Sequence, residues 1–90
     1  MSAFLYQCSP NIVWVKDAGQ TLLVDREGER SWLLHDAAAM MWDLLAVGHS
    51  YEKITQMISL ILSLPEEQAG RTLASVLGDW QEAGILELVG

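Results

Sequence analysis

Hydrophobic and polar positions change period once along the chain. Residues 11–17, NIVWVKD, alternate weakly, with Ile12, Trp14 and Lys16 on one side and Val13 and Val15 on the other. That pattern predicts a strand covered on both faces. Ala18-Gly19 is a turn signal, and QTLLVD (20–25) is a second apolar, β-branched strand. REGE (26–29) carries a glycine suited to a positive-φ turn, and RSWLL (30–34) is the third strand. From Asp36, read as an N-cap, the period becomes helical: Ala37, Ala38, Met41, Trp42 and Leu45 share a face up to Val47-Gly48. Ser50 caps a second helix with Tyr51, Ile54, Ile58 and Ile61 as its inner stripe. Pro65 opens a third, in which Leu73, Val76, Leu77 and Trp80 repeat at helical spacing before the stop at Gly84. ILELV (85–89) reads as a short extended tail, and residues 1–10 as a flexible arm ended by Ser9-Pro10. Residues 11–90 then form one α+β domain, a three-stranded antiparallel sheet followed by three helices.

Ninety residues supply a marginal core, and 51% hydrophobic content is high for that length. Some apolar surface is therefore expected to meet a partner or a second copy, and a homodimer stays open. The excess apolar run Met57–Leu64 is the expected docking face. Five basic residues against twelve acidic ones, a net charge of −7, oppose both nucleic acid and anionic membranes. The single cysteine, Cys8, has no internal disulfide partner. MSAFLYQCSPN lacks the features of a secretory signal, and no stretch is long and apolar enough to span a bilayer, so a cytoplasmic location is expected.

Catalytic and metal chemistry find little support. His35 and His49 are far apart in sequence and outside any metal-ligand spacing, and zinc needs about four ligands. Cys8 has no nearby base, and the carboxylates sit at turns and helix starts, where solvation and the helix dipole account for them. No enzyme activity, cofactor or metal is expected. Trp14, Trp42 and Trp80 are in phase with apolar neighbours and read as core. Trp32, between Ser31 and Leu33 in a short strand, is a candidate to line a groove.

Three helices beside a small sheet also suggest a winged-helix-like architecture, and with it a DNA-binding transcription regulator. Between residues 54 and 90, however, Arg71 is the only basic residue among Glu66, Glu67, Asp79, Glu82 and Glu87. A recognition helix of that charge is repelled by a duplex.

The run LLVDREGERSWLLHDAAAMMWDLLAVGHSYEKI, with the later LGDWQEAGIL, resembles the PqqD-like family of peptide-recognition domains from ribosomal peptide natural-product pathways. Leu34, Ala38, Met41, Trp42 and Leu45 match that family's Leu-Asn-x-x-Ala-x-x-Ile-Trp-x-x-Leu segment, and Trp80, Gly84 and Ile85 match its closing helix. His35 stands where the family often has Asn, and Thr72 where it often has Asp. The resemblance covers about residues 11–88. It implies non-catalytic binding of a precursor's leader peptide, presented to a modifying enzyme or leader protease. A lasso-peptide pathway is favoured, with pyrroloquinoline quinone synthesis the near alternative. It further implies that the leader adds as a strand to the edge of residues 30–34 and is clamped by the third helix. The implied binding residues are Arg30, Ser31, Trp32, Leu33 and Leu34 on the strand, with Thr72, Ser75, Val76 and Asp79 on one flank of the helix. The other flank carries Gly70, Ala74 and Gln81.

Overall fold

The computed structural model describes residues 5–89. Its elements run β1 (Leu5–Cys8), β2 (Ile12–Asp17), β3 (Gln20–Asp25), β4 (Ser31–His35), α1 (Asp36–Val47), α2 (Tyr51–Leu62), α3 (Glu66–Ala83) and β5 (Leu86–Val89). Strands β2, β3 and β4 form an antiparallel meander in that order. The two residues joining β2 to β3, Ala18 and Gly19, both have positive φ, +48° and +81°. That is the requirement of a type I′ hairpin, whose twist matches that of its strands. Between β3 and β4, Gly28 (φ +74°) donates its N–H to the Asp25 carbonyl at 2.7 Å. The Asp25 carboxylate accepts from the Glu27 N–H at 3.0 Å.

One face of this sheet packs on the helices through Ile12, Leu23 and Leu34, all buried, with Trp14 and Trp32 half-buried beside them. Trp42 of α1 is fully buried at the centre of the core. Trp14 and Trp80 meet it edge-on, with ring centroids at 5.4 and 5.5 Å. The opposite sheet face is open, contrary to the expectation that both faces of β2 are covered: Val13 is 42% and Val15 64% exposed. The described helices all pack on one side, so alternation leaves Val13 and Val15 facing solvent.

Residues 5–8 form a strand rather than a flexible arm; residues 1–4 lie outside the described residues. β1 pairs antiparallel with β5, Cys8 opposite Leu86, and the Ser9 N–H continues the ladder to the Ile85 carbonyl at 3.0 Å. The expected tail 85–89 is thereby the second strand of this small sheet. Helix starts differ in their chemistry. Ser50 caps α2 as read, its hydroxyl accepting from the Lys53 N–H at 3.2 Å. Ser50→Ala should cost about 1 kcal/mol, measurable by urea denaturation. Asp36 makes no side-chain cap. It sits at φ +50°, where the chain swings from β4 into α1, a conformation that short polar Asp tolerates. Gly84, at φ +83°, ends α3 as expected, with its N–H and that of Ile85 closing onto the last turn. Ile61, assigned to the inner stripe of α2, is 57% exposed, beside Leu60 and Leu62. α2 packs on α1 and α3 through Ile54 and Ile58, and its last turn runs past the surface they cover.

Candidate functional site

The hydrogen-bond phase of β4 follows from its two ends. The Asp25 N–H bonds the Arg30 carbonyl at 3.0 Å, and the Asp36 N–H bonds the Gly19 carbonyl at 3.3 Å. Antiparallel pairs alternate between bonded and non-bonded. With Leu23 opposite Trp32 and Thr21 opposite Leu34 in the register, those are the bonded pairs. The N–H and C=O groups of Trp32 and Leu34 are therefore spent on β3, as is the Arg30 carbonyl. Those of Ser31, Leu33 and His35 point away from the sheet. β4 pairs with β3 on its inner side, and among the described residues no strand pairs with its outer edge. Within the edge implied by the resemblance, Arg30 to Leu34, the outward-facing backbone groups are those of Ser31 and Leu33. The backbone groups of His35, one residue beyond that span, face outward as well.

Side chains alternate as well. Trp32 points toward the helices and is half-buried, while Leu33 points to the open face and is 51% exposed. Ser31 is exposed, and Leu34, at 8% exposure, is core. Arg30 is not simply solvated. Its guanidinium donates to the Ala83 carbonyl in the last turn of α3 at 2.8 Å and lies over the Trp32 ring, 4.7 Å from the centroid. A cation on the helix's unsatisfied C-terminal carbonyls is electrostatically favoured, and the indole face adds a cation–π contact. Arg30 thus fastens the start of β4 to the end of α3.

On α3, Thr72, Val76 and Asp79 fall in one stripe with Ala83, at steps of four, three and four residues, and Ser75 borders it. Thr72 and Val76 are half-buried, Ser75 and Asp79 exposed. The opposite flank is partly occupied: the Tyr51 hydroxyl of α2 donates to the Gly70 carbonyl at 2.8 Å. A Cβ at Gly70 would lie 3.7 Å from the Thr55 methyl. The stripe containing Thr72 and Asp79 is the one that ends at Arg30.

Among the described residues, no group of three or more His, Cys, Asp or Glu side chains is placed to hold a metal ion. A pocket of about 290 Å³ lies elsewhere, between the β2–β3 turn and α1, where Lys16 and Asp43 pair at 3.2 Å. Cys8 is half-buried, and burial pushes its thiol up to about 11. At pH 8 its alkylation by iodoacetamide should run roughly a hundredfold slower than in the urea-unfolded chain. Because the unfolded thiol sheds its proton first, this group's contribution to stability is intact below pH 9 and is lost as pH rises toward 11. Within α3, Arg71 is the only base, and Glu67 of the preceding turn lies 3.8 Å from it. Among the described residues, no helix is long and apolar enough to cross a membrane.

A three-stranded antiparallel meander followed by three helices is a fold this chain shares with solved structures. Two such structures resemble it over nearly their whole length. One is lasso peptide synthetase B1 complexed with the leader peptide: 25% identity, TM-score 0.81, 91% of this chain and 96% of that one. Another is TbiB1 in complex with the TbiA(beta) leader peptide: 21% identity, TM-score 0.85, 90% and 94%. No protein-family model matches the chain, and no curated protein matches it. The DNA-binding alternative finds no support in these structures.

Proposed function

We propose that this protein is a non-catalytic carrier for the leader segment of a ribosomally made precursor peptide, which it presents to a modifying enzyme or leader protease. The observation that carries the reading is the outer edge of β4, unpaired among the described residues and tied at its start to the end of α3 through Arg30, in a fold shared with solved structures complexed with leader peptides. An extended leader would pair with Ser31, Leu33 and His35. Its side chains on the helix side would meet Trp32, Thr72, Val76 and Asp79, with Ser75 permitting close approach. The lasso-type pathway is preferred to quinone-cofactor synthesis because the relative at 25% identity is a lasso synthetase component.

A strand of five or six residues with one or two anchors commonly gives a Kd between about 1 μM and 1 nM. The test is a fluorescence-anisotropy titration with the fluorescein-labelled leader of the precursor encoded beside this protein. Saturable binding in that range is expected, together with silence toward duplex DNA. Salt-sensitive duplex binding without peptide binding would overturn the proposal. Trp32→Ala should weaken the leader by about tenfold, as loss of one aromatic anchor. A folded variant binding like wild type would remove Trp32 from the site.

A further inference from the structure

The outer face of the β2–β3–β4 sheet is built from nine side chains: Val13, Val15 and Asp17; Gln20, Leu22 and Val24; Ser31, Leu33 and His35. Five are apolar and only Asp17, at a corner, is charged, on a chain whose net charge is −7. Gln20 and His35 hydrogen-bond each other at 3.2 Å along one end, so the polar rim there is already satisfied. Val13, Val15, Leu22 and Leu33 are 42%, 64%, 42% and 51% exposed. Among the described residues, no element covers them.

The rows on this face run across the strands: Val15 opposite Leu22, and Leu22 opposite Leu33. Leu33 is also the centre of the open edge, with its backbone facing outward. A leader strand seated there would place its own outward side chain next in the row. Resting on the carrier function proposed above, we infer that this face, extended by the leader, is the docking surface for the enzyme that processes the leader-bound precursor. That enzyme's contacting surface is apolar and uncharged. A second copy is the poorer occupant, since nine residues fall well short of the roughly 20–30 per side of a stable interface. A processing enzyme gains the remaining area from the leader and the precursor beyond it. Such a composite surface makes the enzyme prefer the loaded carrier to the empty one, because only the loaded carrier completes the row.

Val15 lies two strands away from the edge, so changing it leaves the leader's contacts intact. Purified Val15→Lys, and separately Leu22→Lys, would be titrated with the labelled leader and then, leader-loaded, with the processing enzyme encoded beside the protein. Circular dichroism checks the fold. Leader affinity should stay within about twofold of wild type, while affinity of the loaded carrier for the enzyme falls by about tenfold or more. Loaded variants that engage the enzyme like wild type would overturn the inference and leave the carrier function standing. So would a wild-type dimer that Val15→Lys dissociates, since the face would then be an interface between copies. Failure of the wild type to bind leader removes both readings.

Discussion

Leu33→Pro is expected to fold normally and to lose leader binding by at least about thirtyfold, near 2 kcal/mol. Proline lacks an N–H, and in a sheet it is tolerated where that N–H would face away from the ladder. The register puts the Leu33 N–H on the open edge, so no β3–β4 bond is broken. The preceding residue, Trp32, is already in a strand, the conformation proline imposes on its neighbour. The loss comes from a missing central donor and from a ring standing where the guest backbone must approach. Trp32→Pro, one residue away, should behave oppositely. It deletes a bond to Leu23 and destabilises the domain itself. Paired denaturation and leader titrations on the two variants separate an edge that binds from an edge that only folds.

Trp42→Ala should be the most destabilising single truncation, costing about 3–5 kcal/mol. Its indole is fully buried between Trp14 and Trp80, and removing it leaves both rings without their edge-on partner. A domain of this length has roughly 5–13 kcal/mol to lose, so urea midpoints should drop severely. Trp42→Phe should be far milder. It keeps an aromatic body, and the indole Nε1 it deletes is buried without a hydrogen-bond partner among the described residues. A similar cost for both variants would show that Trp42 is not the packing centre described here.

How much of this was legible in the sequence varies by element. The meander and the three helices follow from local signals: Gly19 and Gly28 at positive φ, Ser50 as a cap, Gly84 as a stop. β1 was missed because it is four residues long and its partner, β5, lies about eighty residues away in sequence. No local periodicity reports a pairing that distant. The open face of β2 was misread because Ile12–Val15 is apolar at every position. Such a run looks like a strand buried on both sides until the helices are seen to take only one. Asp36 has the composition of a cap but sits at the strand–helix corner, where backbone direction decides.

The candidate site was legible in outline only. Its strand and helix could be chosen from the resemblance, and the side-chain alternation of Trp32 and Leu33 was visible as spacing. Which backbone groups are free could not be read without the phase set by the Asp25–Arg30 and Gly19–Asp36 bonds. That phase commits the backbone groups of Trp32 and Leu34 to β3 and turns those of Ser31, Leu33 and His35 outward. Nor could the sequence show that Arg30 is engaged with Ala83 and Trp32, since fifty-three residues separate Arg30 from Ala83.

The central claim is best tested by amide hydrogen exchange, resolved by residue with NMR, on the protein alone and saturated with the leader. In the free protein, the Trp32 and Leu34 amides should be protected and those of Ser31, Leu33 and His35 should exchange quickly. Leader binding should slow all three of the latter while changing Trp32 and Leu34 little. Saturable binding that leaves Ser31, Leu33 and His35 exchanging as before would contradict the account, and would place the peptide somewhere other than the edge of β4.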